Sequence, residues 1–249
     1  MNILEKFEKI GARAKVSSDR IGAVRLDILN DKNGEYFDIQ MGTEASEVSI
    51  LDVQPKDRHL LLLARNGKDK SKFLCGHDER HWFVAAIPES APVGTVRQAK
   101  EALKPREVQN RQVGLKAAER NKRKNDAYIR QGEWFFIPTP LTPDNRLILK
   151  NEPIRRGSGK PHMAEFCYRS GGTSVWVCRA YPNGVDEKTY KRLIKDYTDW
   201  RPMRRDAAVY VKGRITHADH KTINLVGWHR VVMNTETSAR AMRNVAFLD

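Results

Sequence analysis

The sequence predicts an α+β protein with antiparallel sheets: two similar strand-rich modules, each followed by a helix, and a three-stranded meander at the C-terminal end. Three observations predict it. Short aromatic and β-branched runs are punctuated by turn residues rather than embedded in long helical patterns. Several of these runs recur in the same order further along the chain. A highly basic stretch, Arg97 to Lys124, separates the two copies.

The recurrence is read from paired segments. "GEYFDI" at Gly34 to Ile39 matches "GEWFFI" at Gly132 to Ile137, and "RHLLLLAR" from Arg58 matches "RLILK" from Arg146. "HWFVAAIP" from His81 matches "VWVCRAYP" from Val175, with Trp82, Ala86 and Pro88 at the same offsets as Trp176, Ala180 and Pro182. Each module then reads as a strand, a second strand, a hairpin ending in proline, and a helix. The boundaries that follow are an N-terminal module at 1–95, a basic helical connector at 96–126, and a second module with its meander at 127–249.

Within module one, "MNILEKFEKIGARAKV" places Ile3, Leu4, Phe7, Ile10 and Ala14 at helical spacing and predicts an amphipathic helix. "VRQAKEAL" from Val96 is the helix after it, and Pro105 ends or kinks that helix. In module two the helix lies in "DEKTYKRLIKDYTDW", with Tyr190, Leu193, Ile194 and Tyr197 on one face. Strands at Val209 to Thr216, Thr222 to Val226 and His229 to Met233, separated by "HADHK" and "GW", make the meander.

Composition narrows the partner. The chain of 249 residues has 40% hydrophobic and 31% charged residues, the balance of a folded globular protein. Apolar runs such as "HLLLLAR" fall far short of the roughly 20 residues that span a bilayer, so no membrane partner is expected. Cys75, Cys167 and Cys178 form no CxxC pair and are odd in number, which predicts a reducing, cytoplasmic setting. Cys178 aligns with Val84 and reads as a buried thiol.

The formal charge is +14 and the isoelectric point about 9.8. Such a field favours a polyanion, because each neutralised phosphate releases condensed counterions. Between Arg97 and Lys124 there are ten Lys or Arg against three Glu, about half the net charge. Arg97, Lys100, Lys104, Arg106 and Arg111 in its first part are the expected phosphate contacts, with Lys116, Arg120, Lys122, Arg123 and Lys124 in its second. Arg155, Arg156 and Lys160 in "RRGSGKPHM" extend the set, as do Arg201, Arg204 and Arg205 beside Trp200. "GSGK" is no nucleotide-binding P-loop: Ile154 stands where its first glycine should be, and Pro161 where Ser or Thr would hold Mg²⁺.

The expected function is therefore nucleic-acid binding, RNA or DNA, through phosphates and largely without base readout. An acidic protein partner is a further expectation from the same charge.

Histidines supply the alternative. "CGHDERHWF" puts His77 and His81 at a hairpin tip by alignment with Ser170, Gly171 and Gly172. Module two has Val175 where module one has His81, so the scaffold does not demand a histidine there. "THADHK" brings His217, Asp219 and His220 together, with His229 beyond. Imidazole and carboxylate are the donors that Zn, Mn or Ni sites use, so a divalent metal held by His217, Asp219 and His220 is the less favoured expectation. His77, His81, His217, His220 and His229 are the candidates for acid and base work in a nuclease-like hydrolase, provided the two hairpins meet.

Overall fold

A computed structural model describes residues 2–18, 24–42, 46–155 and 160–239 of the chain. The N-terminal half begins with helix α1 (Ile3–Lys9), where the Asn2 side chain accepts the Leu4 N–H and Phe7 is fully buried. Strands β1 (Ala14–Ser18), β2 (Arg25–Asp31) and β3 (Gly34–Met41) form a sheet in the order β1-β3-β2. β2 and β3 are an antiparallel hairpin, but β1 runs parallel to β3, a departure from the all-antiparallel expectation.

Four further strands form an antiparallel meander: β4 (Ser46–Gln54), β5 (His59–Asn66), β6 (Asp69–His77) and β7 (Trp82–Ile87). The unbroken apolar run in β5 follows from its position, because both faces are covered. Leu60 and Leu62 pack with Phe7, Phe37 and Ile39 against the first sheet. Leu61 points the other way, into a cluster with Val96, Ala99 and Leu103.

Those last residues belong to the basic connector, which is not an exposed linker. Thr95 and Gln98 close a capping box on helix α2 (Val96–Ala102), and Pro105 caps α3 (Arg106–Arg111), followed by the short α4 (Ala117–Arg120). Val108 of α3 is buried with Ala127, Tyr128, Phe135 and Ile137. The connector therefore docks on the outer face of the meander with one helix and on the second half with the next.

The second half contains β8 (Ile129–Gln131), β9 (Trp134–Pro138), β10 (Leu149–Ile154), β11 (His162–Ser170), β12 (Thr173–Cys178), β13 (Tyr181–Val185), helix α5 (Glu187–Leu193), β14 (Arg201–Arg205), β15 (Ala208–Thr216) and β16 (Ile223–Met233). Six of the strands form one sheet, β10-β11-β15-β16-β9-β8, and three form a small one, β13-β12-β14. Phe136, Ala164, Cys167, Val211 and Ile215 fill the core of the large sheet. Pro153, Pro182 and Pro202 all lie on edge strands, where a missing N–H is tolerated.

The likeness between the halves is local. Both "GE" pairs sit at the turn of a two-stranded hairpin, and Gly34 and Gly132 both have positive φ. Beyond that the topologies differ. β11 and β12 are not arms of one hairpin but members of different sheets, and Pro182 lies inside β13 rather than at a hairpin's end. The expected three-stranded meander is a two-stranded hairpin. "GW" is a bulge within β16, where Gly227 takes φ +79° and the register with β15 shifts. Helix α5 stops at Leu193, leaving Ile194 and Tyr197 beyond it. No helix among the described residues is long and apolar enough to cross a membrane.

Candidate functional site: a histidine cleft between the halves

The tip of the β6–β7 hairpin and the loop between β15 and β16 touch, which sequence alone could not establish. Glu79 accepts the N–H of Lys221, the Arg80 guanidinium lies 3.5 Å from the Ala218 carbonyl, and His81 Nε2 is 3.9 Å from Asp219 Oδ1. Arg123, from the connector's end, clamps both Asp78 and Glu79, and Arg130 of β8 reaches Asp78 at 3.4 Å. A cleft of about 930 Å³ opens at this junction, with His77, His81, Lys160, His217, Asp219 and His220 in its wall.

Behind His217 and His220 lies His162, the first residue of β11, 1% exposed. β11 pairs directly with β15, and Met163 opposite Thr216 brings the start of one strand beside the end of the other. The three imidazoles are stacked: centroids are 4.1 Å apart for His162 and His217, 4.7 Å for His217 and His220, and 5.4 Å for His162 and His220. One ring nitrogen from each lies within 4.8 Å of the others.

Their hydrogen bonding is incomplete. Among the described residues neither nitrogen of His162 has a hydrogen-bond partner, nor does Nδ1 of His220. His217 Nδ1 accepts the Asp219 N–H at 3.1 Å, and its Nε2 is 3.3 Å from the Lys160 carbonyl. Burial, reinforced by His217 and His220, pushes His162 down to about 3. Burial also lowers His220, against the opposing pull of Asp78. Neutral imidazoles with free lone pairs result at pH 7. Gly132, in the β8–β9 turn, makes room for His220: a Cβ there would meet Nε2 at 2.7 Å.

Across the cleft, His81 Nδ1 is 2.6 Å from Glu35 Oε1, while the other Glu35 oxygen accepts the Trp82 N–H at 3.0 Å. Nδ1–H donates to the carboxylate, which leaves Nε2 on the cleft side as the nitrogen with the free lone pair. Asp219, expected as a metal ligand, is instead bound by Lys160 at 2.9 Å. Burial opposes its ionisation, but the Lys160 pair, with His217 and His81, holds its carboxyl below the usual range.

The remaining candidates separate clearly. His77 packs edge-on against Trp82 at 4.9 Å and lines the cleft away from the stacked trio. His229 is buried on β16 with Nδ1 3.1 Å from the Gly227 carbonyl, and does not join the cluster. All three cysteines are buried; burial raises Cys167 to about 11 and Cys75 further still, so neither is a ready nucleophile.

Several expected phosphate contacts are engaged by other groups of the chain. Lys104 is 3% exposed, and its ammonium donates to Glu101, Gln112 and the Arg120 carbonyl at 2.7–2.9 Å. Arg120 Nε donates to the Leu115 carbonyl, Lys100 pairs with Asp57, Lys122 with Glu119, and Lys160 with Asp219. Arg97, Arg106, Arg111, Lys116 and Lys124 are exposed, with no side-chain partner among the described residues. Arg155 is exposed, and Arg156 lies outside the described residues. Arg201, Arg204 and Arg205 are exposed on β14, with Arg204 donating to the Gly171 carbonyl at 2.9 Å. Trp200 is not an open stacking platform: Tyr181, Tyr190 and Tyr197 surround it.

Glu35, Gly132 and His162 were not legible as site residues. His162 falls in "RRGSGKPHM", where the basic residues carry the signal, and only the β11–β15 pairing brings it to His217. Compared with family models, curated proteins and solved structures, the chain matches none of them.

Proposed function

We propose that the protein is a nucleic-acid-binding hydrolase whose reaction takes place in the cleft between the halves. The observation that carries this reading is that His81, held by Glu35 and close to Asp219, lines one cleft together with His217 and His220. A carboxylate–imidazole pair is the standard arrangement for a general base, because the carboxylate sets the tautomer and orients the ring.

In this reading His81 Nε2 takes a proton from water, and the water oxygen adds to a phosphorus. The P–O bond to the leaving group then breaks, the departing oxygen takes a proton from solvent water, and the His81 imidazolium returns its own to solvent. The imidazolium formed lies between Glu35 and Asp219. Arg80, in the cleft wall and with no carboxylate partner among the described residues, supplies positive charge for the phosphate oxygens.

The test is hydrolysis of a phosphodiester panel, single- and double-stranded RNA and DNA and bis-p-nitrophenyl phosphate, with and without added divalent metals. Turnover that falls about 100-fold or more in His81→Gln supports the reading. No turnover on any member overturns it.

A second reading, binding through phosphates without catalysis, is favoured by one specific observation. Five connector cations remain exposed, with no side-chain partner among the described residues. Salt-sensitive binding without turnover would support it.

A further inference from the structure

We propose that His162, His217 and His220 form a three-histidine site for a first-row divalent transition metal of the zinc type, with an open coordination position facing the cleft. The catalytic use of such a metal rests on the hydrolase reading above; its binding does not.

The orphaned nitrogens are the first argument. A buried imidazole with neither nitrogen hydrogen-bonded loses its hydration and regains nothing. His162 is in that position, and Nδ1 of His220 adds a third orphan beside it. A cation accepting a lone pair from each ring removes the deficit, and both nitrogens of His162 are free to provide one.

The donor set is the second. Three imidazole nitrogens with no carboxylate among them suit zinc, copper or nickel, whereas Mg²⁺ and Ca²⁺ require oxygen ligands. Carboxylates stand one layer out: Asp219 beside His217, and Asp78 and Glu79 within electrostatic reach of His220. Protein ligands from three positions plus one open site is the pattern of a metal that activates water rather than one that only braces a fold.

Geometry sets what must move. Tetrahedral coordination at about 2.0–2.1 Å needs ligand nitrogens about 3.3 Å apart, so donors now within 4.8 Å must close by roughly 1.5 Å. Rotation of exposed-side rings supplies this, since His217 and His220 are only partly buried. If His217 binds through Nδ1, Nε2 keeps its proton and its contact with the Lys160 carbonyl, and the hydrogen bond from the Asp219 N–H is the one given up. Asp219 is not a ligand in this arrangement, because Lys160 occupies it.

The experiment uses the full-length, tag-free chain. After stripping with chelator and dialysis against Zn²⁺, bound metal is measured by mass spectrometry and titration, and Co²⁺ spectra report the ligand field. One equivalent per chain is expected, with affinity reduced about 100-fold or more in His217→Ala and His220→Gln. His81→Gln should retain full metal while losing turnover. Because His162→Ala leaves a hole in the core, the two partly buried ligands carry the test, and zinc should raise Tm of the wild type but not of His220→Gln. Absence of a stoichiometric metal, or unchanged affinity in both variants, overturns the site. Metal without turnover overturns the hydrolase reading alone, and turnover without metal overturns the site alone.

Discussion

Gly132 lies directly beneath the His220 ring, so close that a Cβ would stand 2.7 Å from Nε2. The same residue has φ +57°, a conformation that favours glycine. Gly132→Ala should therefore displace His220 and lower zinc affinity at least tenfold. The added backbone strain should cost about 1 kcal/mol. Metal titration and urea unfolding of the same variant separate the two effects.

Lys104 and its neighbours in the connector should divide into structural and surface cations. Lys104→Met removes a buried ammonium bound by Glu101, Gln112 and the Arg120 carbonyl, and should cost about 2–3 kcal/mol. Arg106→Ala with Arg111→Ala should change stability by no more than about 0.5 kcal/mol each, since both are exposed. If these two contact phosphates, the slope of log affinity against log salt should shrink by about 2. Denaturation curves and a salt series check both halves of the prediction.

His59 should make stability fall on acidification. Its ring is buried against Gly76 and Phe83, and burial, with the nearby Lys100, lowers its pKa to about 4. The unfolded chain, with a histidine near 6.5, binds the proton first. Stability is therefore full above about pH 6.5, declines as pH drops toward 4, and loses nothing more from this group below that. The difference amounts to about 3 kcal/mol. Urea midpoints at pH 7 and pH 4.5 should differ more for the wild type than for His59→Gln.

Gly76 should be intolerant of any side chain for the same packing reason. A Cβ at this position runs into the His59 ring, with Nε2 2.7 Å away. Gly76→Ala should cost about 1–3 kcal/mol, measured by thermal unfolding, and His59→Ala should recover part of that loss by vacating the space.

How far the sequence could be read depends on the range of the contact involved. The helix at the N-terminus, the strands "HLLLLAR" and "WFFIP" and the buried Cys178 follow from local pattern, and the fold bears them out. His81, His217 and His220 stood out because each sits in a short polar cluster. What local pattern could not supply was pairing. β11 and β12 look like one hairpin in sequence, yet the small sheet claims β12 while β15 claims β11. That choice is made by long-range burial, and it alone delivers His162 to the site. Charge misled for a related reason: Lys104 and Arg123 are basic by composition but spent on Glu101, Asp78 and Glu79, which only the fold brings into reach.

The most direct test of the account is turnover of a labelled oligonucleotide by the tag-free chain with zinc present, measured side by side with His81→Gln and Glu35→Gln. The account predicts cleavage by the wild type, a loss of about 100-fold or more in His81→Gln, and a smaller loss in Glu35→Gln, which keeps the ring but weakens its orientation. Equal turnover in all three proteins, or none in the wild type, would contradict it.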